Sequence, residues 1–126
     1  MKYKKINLKN YKDKRGSLTP IYLKKKLKIN IKRIFYINGK KGLIRGNHAH
    51  KKCVQCFVQL SGKCKISLSN KKEEKNIVLN DKKKIILVVY PKIWTRMKYL
   101  TNDNLTLILC SHEYDKKDYI KDFNNI

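Results

Sequence analysis

Residues 42–62 read GLIRGNHAHKKCVQCFVQLSG, and the fold turns on this stretch. His48 and His50 stand two apart. In an extended chain, side chains at i and i+2 project to the same face. Two imidazoles therefore enter whatever that face lines. The run 53–60, CVQCFVQL, follows as a strongly apolar strand. Ser61-Gly62 then makes a tight turn into 64–69, where Cys64, Ile66 and Leu68 alternate with polar residues. Histidine pairs at this spacing also occur as bare surface residues. Here Gly42 lies six before His48 and Gly62 twelve after His50, and the apolar strand behind them places the pair on an interior wall.

Outward from this stretch the pattern is β almost throughout. Segments 17–22, 31–37, 77–79, 85–90, 93–99 and 105–111 read as strands. Asn38-Gly39 is a turn signal, and 70–75 a charged turn. Pro91 breaks what would otherwise be one long strand. Residues 115–123, DKKDYIKDF, have no clear period and read as a short helix or an arm. Many short strands with evenly spaced turns and no linker predict one all-β domain over residues 1–126, a sandwich or closed barrel, with a double-sheet jelly roll suiting the length.

Composition narrows the function. The 32 basic residues against nine acidic ones give a net charge of +23. Such a charge raises polyanion binding as an alternative function. But the lysines are spread along the whole chain, and no nucleic-acid-binding motif is present, so no specific nucleic-acid partner is expected. Neither a signal peptide nor an apolar run long enough to cross a membrane is seen, and a cytoplasmic location is expected. Cys53 and Cys56 form a C-x-x-C, yet in a strand they face opposite sides, which favours packing over metal or redox work. Four of the basic residues are arginine and the other 28 lysine. Where lysine is the default cation, an arginine that persists points to its planar, bidentate fork. Arg15 opens a glycine turn, Arg33 precedes IFYI, Arg45 leads into the histidines and Arg96 stands two after Trp94. All four are candidates to hold an anionic substrate.

The spacing G-x5-H-x-H-x4-(E/Q)-x6-G resembles the first motif of the cupin superfamily, small β-barrels that hold chemistry inside. That resemblance implies a double-stranded β-helix. Where a metal-binding cupin has Glu, this chain has Gln55, and no histidine occurs in 91–99, where the second motif would fall. Two imidazoles and an amide make a poor metal site. The histidines are therefore expected to act as acid and base, with no metal and no cofactor. A metal-dependent cupin oxygenase is the alternative enzyme.

Further segments, DKRGSLTPI at 13–21, KRIFYI at 32–37, RGNHAHK at 45–51, PKIW at 91–94 and YDKKDYIKD at 114–122, resemble the sugar nucleotide 3,4-ketoisomerases of the WxcM-like cupins. The resemblance implies a homodimeric, cofactor-free isomerase of dTDP-4-keto-6-deoxy-D-glucose. Its product is a dTDP-3-keto-6-deoxyhexose for 3-amino-3,6-dideoxyhexoses of surface glycans. It also implies a role for Tyr36 beside the catalytic His48 and His50. Gln55 and Trp94 join the arginines as candidate substrate contacts. Residues 1–22 carry enough strand pattern to pair with a second copy.

Overall fold

The computed structural model describes residues 1–126. Its architecture is all-β, two five-stranded sheets packed face to face in a cupin-type jelly roll. One sheet joins β1 (Tyr3–Asn7), β9 (Ile85–Val89), β6 (Gln55–Ser61), β11 (Asn104–Cys110) and β4 (Arg33–Gly39) in that order. The other joins β12 (Tyr119–Ile120), β5 (Ile44–His50), β10 (Trp94–Tyr99), β7 (Lys63–Ser69) and β8 (Glu74–Asn80). Every pairing is antiparallel. A separate hairpin, β2 (Tyr11–Asp13) with β3 (Gly16–Leu18), pairs with neither sheet.

Alternation along the strands builds two apolar layers. Phe57, Ile66, Leu68, Leu79, Leu87, Met97 and Ile108 fill the space between the sheets. Cys56, Val58, Ile86, Val88 and Leu109 point to the opposite side of the first sheet. There Leu23, Leu27 and Ile29 cover them, carried by the one-turn helix α1 (Lys24–Leu27) and its flanks. Cys53 belongs to the first layer and Cys56 to the second, so the C-x-x-C thiols do face opposite sides.

Several boundaries differ from the sequence reading. The strand expected at 17–22 stops at Leu18, because Pro20 has no N–H for a ladder. Asn38 and Gly39 stay within β4, and the turn follows them. Gly39 has no side chain because the Tyr99 ring lies against its Cα, where a Cβ would overlap it. Residues 1–22, expected to pair with a second copy, supply β1, which pairs with β9 on one side and forms an edge of its sheet on the other. The end of the chain is an arm of two 3₁₀ turns around β12, with no α-helix.

Candidate active site

β5 carries both histidines into the space between the sheets, but only after a local distortion. Gly46 has φ +91° and Asn47 φ +63°, and the register with β10 slips between Thr95 and Arg96. A Cβ on Gly46 would meet the Thr95 carbonyl at 2.9 Å. Such a bulge re-aims the side chains that follow it. The imidazoles of His48 and His50 end 5.0 Å apart, edge to face.

The arm at 115–120 closes over them. β12 pairs with the end of β5, Tyr119 opposite His50 and Ile120 opposite Ala49. Tyr119 thereby sets its ring 4.9 Å from His48 and 4.5 Å from His50. Asp118 Oδ2 lies 2.8 Å from His50 Nδ1, and its Oδ1 accepts from the Lys52 N–H at 2.7 Å. This fixes Nδ1 as the protonated nitrogen, donating to the carboxylate. His50 Nε2, buried and without a partner, is then left with a free lone pair.

Burial pushes both imidazoles below the usual histidine range. For His50 the bond to Asp118 pulls partly the other way. Burial would raise the Asp118 carboxyl, but the His50 and Lys52 bonds outweigh it and hold the group below its ordinary value. At neutral pH the pair is thus a carboxylate and a neutral imidazole, the form a proton acceptor needs.

A cavity of about 330 Å³ opens beside them. His48, Tyr119, Gln55, Arg45 and Thr95 supply its polar wall, and Phe35, Phe57, Met97 and Ile108 are among its apolar residues. His50 stands one layer behind, against His48 and Tyr119. Gln55 turns its amide nitrogen toward Cys110 Sγ at 3.8 Å. Cys53 Sγ lies with His50 and Asp118 in a grouping of potential metal ligands, all within 4.8 Å. But His50 and Asp118 are bonded to each other, and Cys53 keeps its proton, its thiol pushed up by Cys110 and by burial. As arranged, the three side chains are engaged in hydrogen bonding.

Not every residue singled out in the sequence reaches this cavity. Strand alternation turns Tyr36 outward, 66% exposed, while its neighbours Phe35 and Ile37 face in. The phenol at the histidines is Tyr119. Trp94 and Arg96 share the outer face of β10, because Thr95, Met97 and Tyr99 take the inner one. Trp94 packs on Phe123 and donates to Asn47 Oδ1 at 3.2 Å. Arg96 pairs loosely with Glu74 at 3.8 Å. Arg15 sits at the tip of the β2–β3 hairpin, its Nη2 2.6 Å from Asp13 Oδ2. Arg33 and Arg45 do reach the site. Arg45 lines the cavity, and Arg33 stacks over Phe35, a lining residue, and over Tyr114. Thr95, which the sequence placed with Arg96 beside the face where C4 is protonated, does line the cavity. Asp118 and Tyr119 carried no assignment from the sequence, and their only trace was the segment YDKKDYIKD, whose place beside β5 is a long-range pairing.

A jelly roll with two neutral imidazoles, a supporting carboxylate and a phenol around one cavity defines a cupin built for proton transfer. The matching family model, FdtA: WxcM-like, C-terminal, spans residues 1–126, and the chain belongs to that family. It is 39% identical over 126 residues to a TDP-4-oxo-6-deoxy-alpha-D-glucose-3,4-oxoisomerase of Aneurinibacillus thermoaerophilus, covering 99% of this chain and 90% of that one. It is also similar to QdtA, a sugar 3,4-ketoisomerase of Thermoanaerobacterium thermosaccharolyticum solved in complex with TDP. The identity is 39%, over 98% of this chain and 90% of that one, with a TM-score of 0.91. A histidine-to-asparagine variant of QdtA was solved in complex with TDP-4-keto-6-deoxyglucose. It is 38% identical over 98% of this chain and 89% of its own, also with a TM-score of 0.91.

Proposed function

We propose that this chain is a sugar nucleotide 3,4-ketoisomerase. It converts dTDP-4-keto-6-deoxy-D-glucose to a dTDP-3-keto-6-deoxyhexose, a precursor for amination at C3. The observation that carries the reading is the cluster of His48 and Tyr119 on the cavity wall with His50 packed against both, its tautomer fixed by Asp118.

Moving the ketone requires a proton to leave C3 and another to reach C4. The C3 hydroxyl loses its proton and the C4 oxygen gains one. The intermediate is an enediol, and the overall change is neutral in electrons and atoms. A neutral imidazole with its far nitrogen held by a carboxylate suits the carbon-acid step, which favours His50 as base. His48, on the cavity wall, suits the transfers between oxygens. Tyr119 suits donation to the oxyanion that develops on the enediolate. Arg45 is the cavity's own arginine and fits the diphosphate.

The test is incubation with dTDP-4-keto-6-deoxyglucose in deuterated water, followed by NMR and by capture of the labile product with a 3-aminotransferase. A 3-keto product is expected, with a new stereocentre at C4 that carries deuterium to the extent that the transferred proton exchanges with solvent. Absence of any 3-keto product from nucleotide-linked 4-keto sugars, with tight salt-sensitive polyanion binding instead, would overturn the reading.

A further inference from the structure

Behind the cavity wall the side chain of Cys110 is surrounded by donors. Arg33 Nη2 lies 3.6 Å from its sulfur and Gln55 Nε2 3.8 Å. The neighbouring Cys53 thiol donates instead to the Val54 carbonyl at 3.5 Å. A neutral thiol offers its own proton and needs an acceptor nearby. The Cys53 and Cys64 thiols donate theirs to carbonyls, whereas Cys110 donates to none. Arg33 meanwhile pairs with no carboxylate, and its Nε is buried without a partner. A half-buried guanidinium with a shielded Nε is stabilised by a nearby countercharge. The groups facing it are Cys110 from β11, Tyr119 from β12 and His50 from β5.

We propose that Cys110 is a buried thiolate, the counter-ion that anchors Arg33 against Tyr119 and so positions the phenol of the active site. Two N–H donors converging on a sulfur that is 0% exposed and donates to nothing suit an anion. The adjoining Cys53 thiol, and then the Arg33 and Gln55 donors, hold Cys110 down to about 6, against the opposing effect of burial. Cys53 moves the other way and keeps its proton. Arg33, held by the thiolate, stacks over the Tyr114 ring, which lies 5.7 Å from that of Tyr119. Cys110 touches no substrate in this scheme and acts through Arg33.

The kinetic arm of the test rests on the isomerase reading; the spectroscopic arm does not. Thiolate absorbance near 240 nm is measured for the wild type, Cys110→Ser and Arg33→Gln between pH 4.5 and 8. The wild type should carry one thiolate at pH 7.5 that is lost on acidification. It should be missing from Cys110→Ser and from Arg33→Gln at the same pH. No thiolate in the wild type, or one that survives Arg33→Gln, overturns the proposal even if the protein has some other activity. In the ketoisomerase assay Cys110→Ser should lower kcat by about tenfold, the scale of a slightly misplaced active-site group, with KM unchanged. Serine keeps a neutral acceptor of similar shape, so wild-type kcat in Cys110→Ser also overturns it.

Discussion

At the residue scale the site separates into groups that act and groups that hold them. His48→Asn or His50→Asn should each cut kcat by roughly 10² or more, the usual weight of an acid–base group, with little change in dTDP affinity by calorimetry. Tyr119→Phe should lower kcat about tenfold or more, whereas Tyr36→Phe should leave it near wild type. The opposite ranking of the two tyrosines would move the phenolic role back to β4. Asp118 raises the proton affinity of His50 through its bond and its charge. Asp118→Asn should therefore shift the acid limb of kcat/KM to lower pH while the plateau falls. An unchanged limb would separate Asp118 from the titrating base. Among the arginines, Arg45→Lys keeps the charge but loses the fork. It should weaken dTDP binding by about 1–3 kcal/mol, while Arg96→Lys, on the outer face of β10, should not.

At the scale of elements, two features make the site: the bulge in β5 and the arm that bears β12. Gly46→Ala imposes a side chain on a positive φ and drives it toward the Thr95 carbonyl. It should cost about 1–3 kcal/mol, read as a lower denaturant midpoint, and should depress turnover because the histidines follow directly. The arm is pinned by the Lys51 N–H to the Asp118 carbonyl at 2.8 Å and by buried Ile120. It was legible in the sequence only as a segment without a period. Two residues of pairing are too short to leave an alternating pattern, and 3₁₀ turns leave none.

At the scale of the molecule, the outer face of the first sheet is incompletely covered. Leu23, Leu27 and Ile29 shield its middle, but Ile34 and Tyr36 are over 60% exposed and Leu60 nearly half. Together with the free edge of β4 this favours a second copy as occupant. Sedimentation at micromolar concentration and physiological salt should show about twice the 15.0 kDa chain mass. Ile34→Glu should give the monomer. A monomer for the wild type at every concentration would remove the homodimer. Acid should destabilise the fold as well. His48 and His50 are depressed when folded, so the unfolded chain binds more protons once the pH falls below about 6.5. Asp118, also depressed, adds a second loss below its unfolded value of 3.8. The Tm of a His48→Asn/His50→Asn protein should fall less between pH 7 and 5 than that of the wild type.

The sequence by itself determined the β architecture, the central strand and the place of the histidine pair. Each is written in local spacing: a period of two, turn residues between runs, and imidazoles two apart on one face. It also determined the likeness to the ketoisomerases, which rests on contiguous segments. Which side chains surround those histidines was decided only by tertiary structure. Tyr36 and Tyr119 are equally plausible phenols along the chain. A strand's alternation sends one to solvent, while a two-residue pairing some 70 positions from β5 brings the other to the imidazoles. Asp118 at His50 and Cys110 at Arg33 are contacts of the same kind. A local pattern fixes which face of a strand a residue occupies, but not which distant strand comes to lie against that face.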